Sequence, residues 1–242
     1  MKQFSSQRVT SLQGLLPGWC VTMTEPIDIY RKGNDVLMVV RDDDPLNPRT
    51  CFGNVGHMAC WHRKYDLGDK DHGIDLNPGN YGEEYEFMEA VGKEYPEIVV
   101  LIPLYLYDHG GITISTGTSA FRTIDSMGWD WGWIGFIYAT KDDIRENFPI
   151  VDSRDPNKAI DDARKNLLDE VKTYNDYLTG RVYGYQRATL EFEPDLSRSK
   201  LIEVFNEYAT STDTFDACYG YYGDESLAYI LAEHGFSDED KV

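Results

Sequence analysis

Side chains that can hold a metal ion or transfer a proton are densest between residues 57 and 75. This group comprises His57, Cys60, His62, Asp66, Asp69, Asp71, His72 and Asp75. Structural zinc sites commonly contain Cys-x-x-Cys pairs, and the chain has none. We therefore predict no resident metal or other cofactor, with Cys60, His62 and His72 as the candidate ligands if a metal binds. The alternative is a buried cysteine beside a hydrogen-bonded histidine, since Cys60 and His62 would share one face of a strand.

A second group lies where a long apolar segment turns. Residues 105–112 read YLYDHGGI, and the paired glycines allow the chain to reverse direction. A carboxylate can orient an imidazole for general-base work, so His62, Asp108 and His109 are candidate catalytic residues. Neighbours on a strand point to opposite faces, however, and the alternative is that Asp108 and His109 hydrogen-bond to the backbone of the turn.

Three tryptophans surround one carboxylate in the run GWDWGW at residues 128–133. Such a run is typical either of core packing or of a site for a flat ligand, because aromatic rings bury large areas and also stack. Trp129, Asp130 and Trp131 are therefore candidate ligand-binding residues.

Common catalytic signatures are missing from the chain. It has no Walker A loop, no G-x-G-x-x-G, no G-x-S-x-G and no H-E-x-x-H. The sequence leaves enzymatic activity open but favours a protein that works without catalysis.

The charge of the chain restricts the classes of molecule that it can bind. Its 242 residues contain 23 Lys and Arg against 42 Asp and Glu, which gives a formal charge of −19. Such a charge opposes direct nucleic-acid binding, which depends on basic side chains.

The four cysteines are widely spaced and indicate reduced thiols. No apolar run is long enough for a signal or membrane segment, so we expect a cytoplasmic protein with no membrane partner.

One long helix and several shorter elements are predicted to position these residues. Apolar side chains recur every three or four residues from Pro156 to Thr179, with Asp155 as cap and Gly180 as stop. Shorter helices are predicted at 83–94, 141–147, 200–208 and 225–234. Strands are predicted at 36–40, 57–61, 98–107, 133–139, 181–193 and 218–222. Because proline cannot donate to a ladder, the 98–107 strand is expected to be at an edge, bulged or broken at Pro103.

These elements favour an α+β fold, with a mostly antiparallel sheet of about six strands and helices packed on one face. Strands and helices do not alternate regularly, which argues against a parallel sheet. We expect a single domain from residue 1 to 242, with an irregular N-terminal segment and a frayed tail from residue 237 to 242.

Four segments resemble an uncharacterised protein family encoded by tailed bacteriophages and prophages. They are CWHRKYDLGD at 60–69, PLYLYDHGGI at 103–112, WDWGWIGFIY at 129–138 and YNDYLTGRVYGY at 174–185. The resemblance spans roughly residues 36–223. The family more often has Ser where this chain has Gly110, and it has Ser-Gly-Gln where this chain has residues 131–133. This chain therefore lacks these serines and any catalytic role that they would have.

The resemblance implies an accessory protein acting on the bacterial host. Together with the charge, it leads us to expect an acidic inhibitor of a nucleic-acid-directed defence, a restriction or CRISPR nuclease, whose basic groove the protein would occupy. One alternative is a metal-assisted hydrolase or nucleotide-processing enzyme. Another is a sponge for a small signalling nucleotide. The oligomeric state stays open.

Overall fold

Nine strands and seven α-helices form the described part of the chain in the computed structural model, which covers residues 8–9, 25–148, 157–191, 196–209 and 214–242. The strands are β1 (Arg8–Val9), β2 (Asp28–Lys32), β3 (Asp35–Arg41), β4 (His57–Cys60), β5 (Ile98–Asp108), β6 (Ile112–Ser115), β7 (Trp131–Thr140), β8 (Val182–Thr189) and β9 (Asp216–Tyr222). The helices are α1 (Pro48–Cys51), α2 (Glu84–Glu94), α3 (Ser119–Ile124), α4 (Lys141–Asn147), α5 (Lys158–Leu178), α6 (Arg198–Ala209) and α7 (Glu225–His234).

The strands pair into two sheets, and every pairing is antiparallel. The first sheet has the order β1-β9-β8-β3-β2, and the second has the order β4-β7-β5-β6. The α+β prediction with antiparallel strands is confirmed. The strands are divided between two sheets rather than gathered in one, because strand partnership depends on contacts between distant segments that local patterns do not record.

The chain also divides into two compact units, each built on one of these sheets. The first unit contains Met1–Leu46 and Gly180–Val242, and the second contains Asn47–Thr179. The second unit is thus inserted into the chain of the first. The expectation of one domain from residue 1 to 242 stays a prediction. Most of the predicted irregular N-terminal segment lies outside the described residues.

The sheet of the first unit is covered on both faces. On one face, Leu201 and Phe205 of α6 pack against Val36 and Met38 of β3. On the other face, Ile230 and Leu231 of α7 pack with Leu37 and Val39. The whole of β3 between its ends is therefore buried, which explains why its sequence is continuously apolar rather than alternating.

The C-terminal residues, expected to fray, are attached to β2. Asp238–Asp240 form a short 3-10 helix. The backbone amide of Val242 then donates to Ile29 at 2.9 Å, and Lys241 pairs with Asp28 at 2.7 Å.

In the second unit, the sheet lies between α5 and α2. Leu167 and Val171 of α5 pack on one face with residues of β5 and β7 such as Leu104 and Ile137. Phe87 and Val91 of α2 pack on the other face with Phe136 of β7. The two helices therefore fix which strand side chains face which surface of this unit.

A bulge in β7 decides the orientation of its tryptophans. Leu104 pairs with Gly135 and Tyr105 pairs with Trp133, so Ile134 is the extra residue. Gly135 has φ near +153°, and a Cβ there would lie 2.0 Å from the carbonyl oxygen of Ala59 in β4. The bulge places Trp133 in the cluster under α2, while Ile134 joins the cluster under α5.

Pro103 lies within a strand that is central along only part of its length. In the described sheet β6 pairs with β5 from Tyr105 to Asp108, whereas Pro103 pairs only with Phe136 of β7. Proline donates no backbone hydrogen bond, so it is tolerated in this part of β5, where no described strand lies on the side away from β7. The predicted local edge is therefore present, and β5 continues through it without a break.

The predicted long helix is confirmed as α5. Its stripe of Ala163, Leu167, Val171 and Tyr174 is buried, and Gly180, with φ near +67°, follows the end of the helix. The predicted cap, Asp155, lies outside the described residues.

Replacing Leu167 with Ala is expected to lower the free energy of unfolding by about 3 kcal/mol, because the side chain is fully buried and its loss leaves a cavity. The neighbouring Leu168 is 41% exposed. Its replacement with Ala should cost less than about 1 kcal/mol and serves as the control. Equal losses in urea-induced unfolding would contradict the assigned face of α5.

Candidate functional site

Two of the three candidate catalytic residues meet in one cluster, which also contains Lys64 and Tyr65. The hydroxyl of Tyr65 donates to both carboxylate oxygens of Asp108, at 3.0 and 3.1 Å. Lys64 Nζ lies 3.4 Å from Asp108. The His62 ring stacks on Tyr65 at 5.0 Å between centroids, and its Nδ1 accepts from the backbone amides of Lys64 and Tyr65. The sequence named His62 and Asp108 but not Tyr65, which connects them.

The charge state of Asp108 follows from these contacts. The hydrogen bond from Tyr65, together with the hydrogen bond and the charge of Lys64, holds the pKa of Asp108 below its usual range. These contacts therefore stabilise the folded protein at pH values above the pKa that Asp108 has in the unfolded chain. The stabilisation is lost as the pH falls through the lowered pKa of the folded state. An ionised carboxylate with donors already in place accepts hydrogen bonds but is a weak base near neutral pH.

His109 belongs to a different pair. Its Nδ1 lies 2.9 Å from Asp130, and the two side chains are 70% and 38% exposed. The backbone amide of Asp108 donates to the carbonyl of Asp130, which holds the end of β5 against the loop before β7. Adjacent residues thus have different side-chain partners, as the strand geometry predicted.

The candidate metal ligands are dispersed. Cys60 is half-buried, and desolvation of its thiol raises the pKa to about 12. His72 Nδ1 accepts from the backbone amide of Ile74, and its ring meets the edge of Trp61. His57 pairs with Asp143 at 3.3 Å. Within the described residues, no three His, Cys, Asp or Glu side chains are grouped to hold a metal ion. Cys51, Cys60 and Cys218 are free thiols, and Cys20 lies outside the described residues.

A buried ionic network was not predicted from the sequence. The guanidinium of Arg49, 1% exposed, makes two parallel hydrogen bonds to Asp69 at 2.8 and 2.7 Å. It also donates to Glu170 at 2.9 Å and to the carbonyl of Gly56 at 2.7 Å. One signal was available: Arg49 and His57 are the only basic residues from 45 to 61, and an arginine that is buried in such a stretch needs a paired carboxylate.

The two carboxylates of this network also bind backbone. Glu170 accepts from the amides of Val55 and Gly56, and Asp69 accepts from Met58 at 2.7 Å. Burial raises the pKa of Glu170, and Arg49 with the two amides opposes that rise. Because the ionic groups are mutually paired, the network joins three chain segments and leaves little capacity for a ligand.

The structure distributes the three clustered tryptophans over three environments. Trp133 packs in the core with Trp61 and Phe87. Trp131 is half-buried beneath Arg122, at 5.6 Å, and its Nε1 donates to the carbonyl of Asp125. Trp129 is 82% exposed. They therefore do not form one stacking site around Asp130.

One face of the second unit is strongly acidic. Between residues 71 and 97 there are eight Asp and Glu against one Lys. Seven of these carboxylates are exposed: Asp71, Asp75, Glu83, Glu86, Glu89, Glu94 and Glu97. Lys93 pairs with Glu89 at 2.7 Å, which neutralises the single cation locally. We call this surface, made by α2, the loop before it and Glu97 just after it, the acidic face.

The opposite face of the same sheet has a balanced charge. Helix α5 carries five Asp and Glu against four Lys and Arg. Of these two described surfaces, the one on the α2 side therefore carries the excess of negative charge, which a net charge alone could not reveal.

Comparison of the chain with protein-family models, with curated proteins and with solved structures gives no match. No helix in the described ranges has the length and apolarity to cross a membrane.

Proposed function

We propose that the chain is a phage-type accessory protein that acts by binding, and that its acidic face inhibits a host nucleic-acid-directed defence. The partner is a restriction or CRISPR nuclease, whose basic groove the acidic face occupies in the bacterial cytoplasm. The observation that carries this proposal is the concentration of exposed carboxylates on α2 and the loop before it, opposite a face of balanced charge.

The physical argument is electrostatic competition. A nuclease groove presents Lys and Arg to a chain of phosphates. A dense row of carboxylates carries the same negative charge as the phosphates and can pair with these cations in their place. Charge complementarity accelerates encounter and fixes the orientation of the complex. It also makes the complex sensitive to salt, because exposed charges are screened at high ionic strength.

The alternatives have weaker support. A metal-assisted hydrolase or nucleotide-processing enzyme would use His62, Asp108 and His109, but His109 has a different partner from the other two. A nucleotide sponge would stack its ligand on Trp129, Trp131 or Trp133, and these three side chains lie in different environments.

Neutralising the acidic face should weaken inhibition. The test variant combines Asp71→Asn, Glu83→Gln and Glu94→Gln, and the matched control combines Glu146→Gln, Asp162→Asn and Asp169→Asn in α4 and α5. Both remove three exposed charges. With purified restriction and CRISPR nucleases, we expect the test variant to lose about tenfold in affinity, about 1.4 kcal/mol, with a shallower salt dependence. Equal losses in both variants would remove the acidic face from the proposal.

The catalytic alternative has its own test. The double change His62→Ala and Asp108→Asn should leave nuclease inhibition intact, because the proposal assigns these residues no contact with the partner. If a folded double variant still binds the nuclease but no longer protects DNA from cleavage, catalysis becomes the better account.

A further inference from the structure

Three large apolar side chains are exposed within six residues of the chain, at the end of α3 and in the loop that follows. Ile124 is 69% exposed, Met127 is 75% exposed and Trp129 is 82% exposed. Single exposed apolar residues are common on protein surfaces, whereas a concentration of exposed apolar area is a feature of interaction sites. We call residues 124–130 the Trp129 loop.

The Trp129 loop is held in one conformation by Asp125. The carboxylate of Asp125 accepts from the backbone amides of Met127 and Gly128, each at 3.1 Å, and from Asp130 at 2.8 Å. The carbonyl of Asp125 accepts from Trp131 Nε1 at 2.9 Å. A loop fixed before binding loses little conformational entropy in a complex, so its exposed side chains can contribute most of their burial to affinity.

The loop follows a helix that lies on the same side of the sheet as the acidic face. Phe121 of α3 stacks on Tyr107 of β5 at 5.6 Å. On the same surface of β5, the hydroxyl of Tyr105 donates to Glu84 of α2 at 2.8 Å. Helix α3, which leads into the Trp129 loop, and helix α2, which carries the acidic face, therefore contact the same surface of β5.

We propose that the Trp129 loop is an apolar anchor that inserts into an apolar site beside the basic groove of the partner protein. The inference rests on the proposed function, because it adds a second contact to the complex made by the acidic face. Trp129 has the properties of an interface hot spot, since tryptophan is enriched there and gains large area when desolvated. Met127 and Ile124, in the same loop, add further exposed apolar area.

The negative charge of the acidic face favours a basic protein over other possible partners of the loop. A second copy of the chain would bring another acidic face close to the first, and an anionic membrane or nucleic acid would be repelled by the same carboxylates. A basic protein surface gains from both features, because its cations meet the acidic face while its apolar site receives Trp129. The loop then supplies affinity and the carboxylates supply orientation.

The first arm of the test uses the nuclease that the chain inhibits. We expect Trp129→Ala to weaken binding about thirtyfold with an unchanged salt dependence, which corresponds to a hot-spot contribution. Tyr229→Ala, at a 51% exposed tyrosine of α7, is the control and should bind as the unmodified chain does. Unchanged affinity of Trp129→Ala would overturn the anchor while leaving the acidic-face proposal standing.

The second arm needs no nuclease. Two synthetic helical peptides with the same number of lysines are titrated into the protein, one with leucines on the face between the lysines and one with serines there. We expect the leucine peptide to bind at least tenfold more tightly, and Trp129→Ala to abolish that difference. If the difference persists in Trp129→Ala, the anchor is wrong whether or not any nuclease is inhibited.

Sedimentation of the unmodified chain and of Trp129→Ala tests the competing occupant. We expect both to sediment as monomers at micromolar concentration. A dimer of the unmodified chain that Trp129→Ala dissociates would overturn the proposal and assign the loop to a second copy.

Discussion

Replacing Arg49 with Ala is expected to lower the free energy of unfolding by about 4 kcal/mol. Removing one partner of a buried ion pair leaves uncompensated charge, which costs about 3–5 kcal/mol. Here two carboxylates, Asp69 and Glu170, would lose their cation together. Their bonds to the amides of Val55, Gly56 and Met58 would remain, so the loss is local to the guanidinium.

The control for this prediction is Arg145→Ala. Arg145 also pairs with a carboxylate, Asp142 at 3.0 Å, but both side chains are 77% exposed. An exposed pair of this kind contributes about 0–1 kcal/mol. The loss of unfolding free energy in Arg49→Lys should lie between the losses in Arg49→Ala and Arg145→Ala, because lysine keeps the charge but cannot form two parallel hydrogen bonds. Similar denaturant midpoints for Arg49→Ala and Arg145→Ala would show that the network contributes no stability.

Gly135→Ala is expected to destabilise the second unit by about 4 kcal/mol or more, near the upper end of single substitutions. The added methyl would lie 2.0 Å from the carbonyl oxygen of Ala59 and 2.9 Å from Cα of Cys60. Both are backbone atoms, so relief requires β4 to separate from β7. The positive φ of Gly135 adds strain for any residue with a side chain.

The same strand offers the control. Gly132 has no atom within 4 Å of an added Cβ. Gly132→Ala should therefore change the unfolding free energy by less than about 1 kcal/mol. If Gly135→Ala unfolds at the same denaturant concentration as Gly132→Ala, the close approach of β4 at the bulge is not present in solution.

Elements with strong local signals were the predictable part of this fold. The bounds of α4 and α7 agree with the sequence prediction, since Thr140 and Asp143 form a capping box and Gly235 takes the left-handed conformation after α7. Strand β2 was missed, although the two residues Gly33 and Asn34 between β2 and β3 are a hairpin signal. Helix α3 has only six residues and little periodicity to detect.

The site was less predictable because its contacts join distant segments. His62 and Asp108 were named for their chemistry, but their proximity depends on Tyr65, which lies between β4 and α2 while Asp108 ends β5. The three tryptophans of residues 128–133 share a sequence pattern and not an environment, because the bulge at Ile134 and the turn at Asp125 redirect them. The one-sidedness of the acidic face likewise required the packing of α2.

The insertion of the second unit has a consequence for biosynthesis. Strand β3 ends at Arg41 and its partner β8 begins at Val182, so the nascent chain must release the entire inserted unit before these strands can meet. Until then the apolar strand β3 is paired only with β2 among the described strands and exposes one edge to aggregation. Prior folding of the inserted unit shortens the effective loop that β3 and β8 must close. We therefore expect ribosome-bound chains arrested before residue 182 to recruit holdase chaperones through β3, and to release them once β8 has emerged.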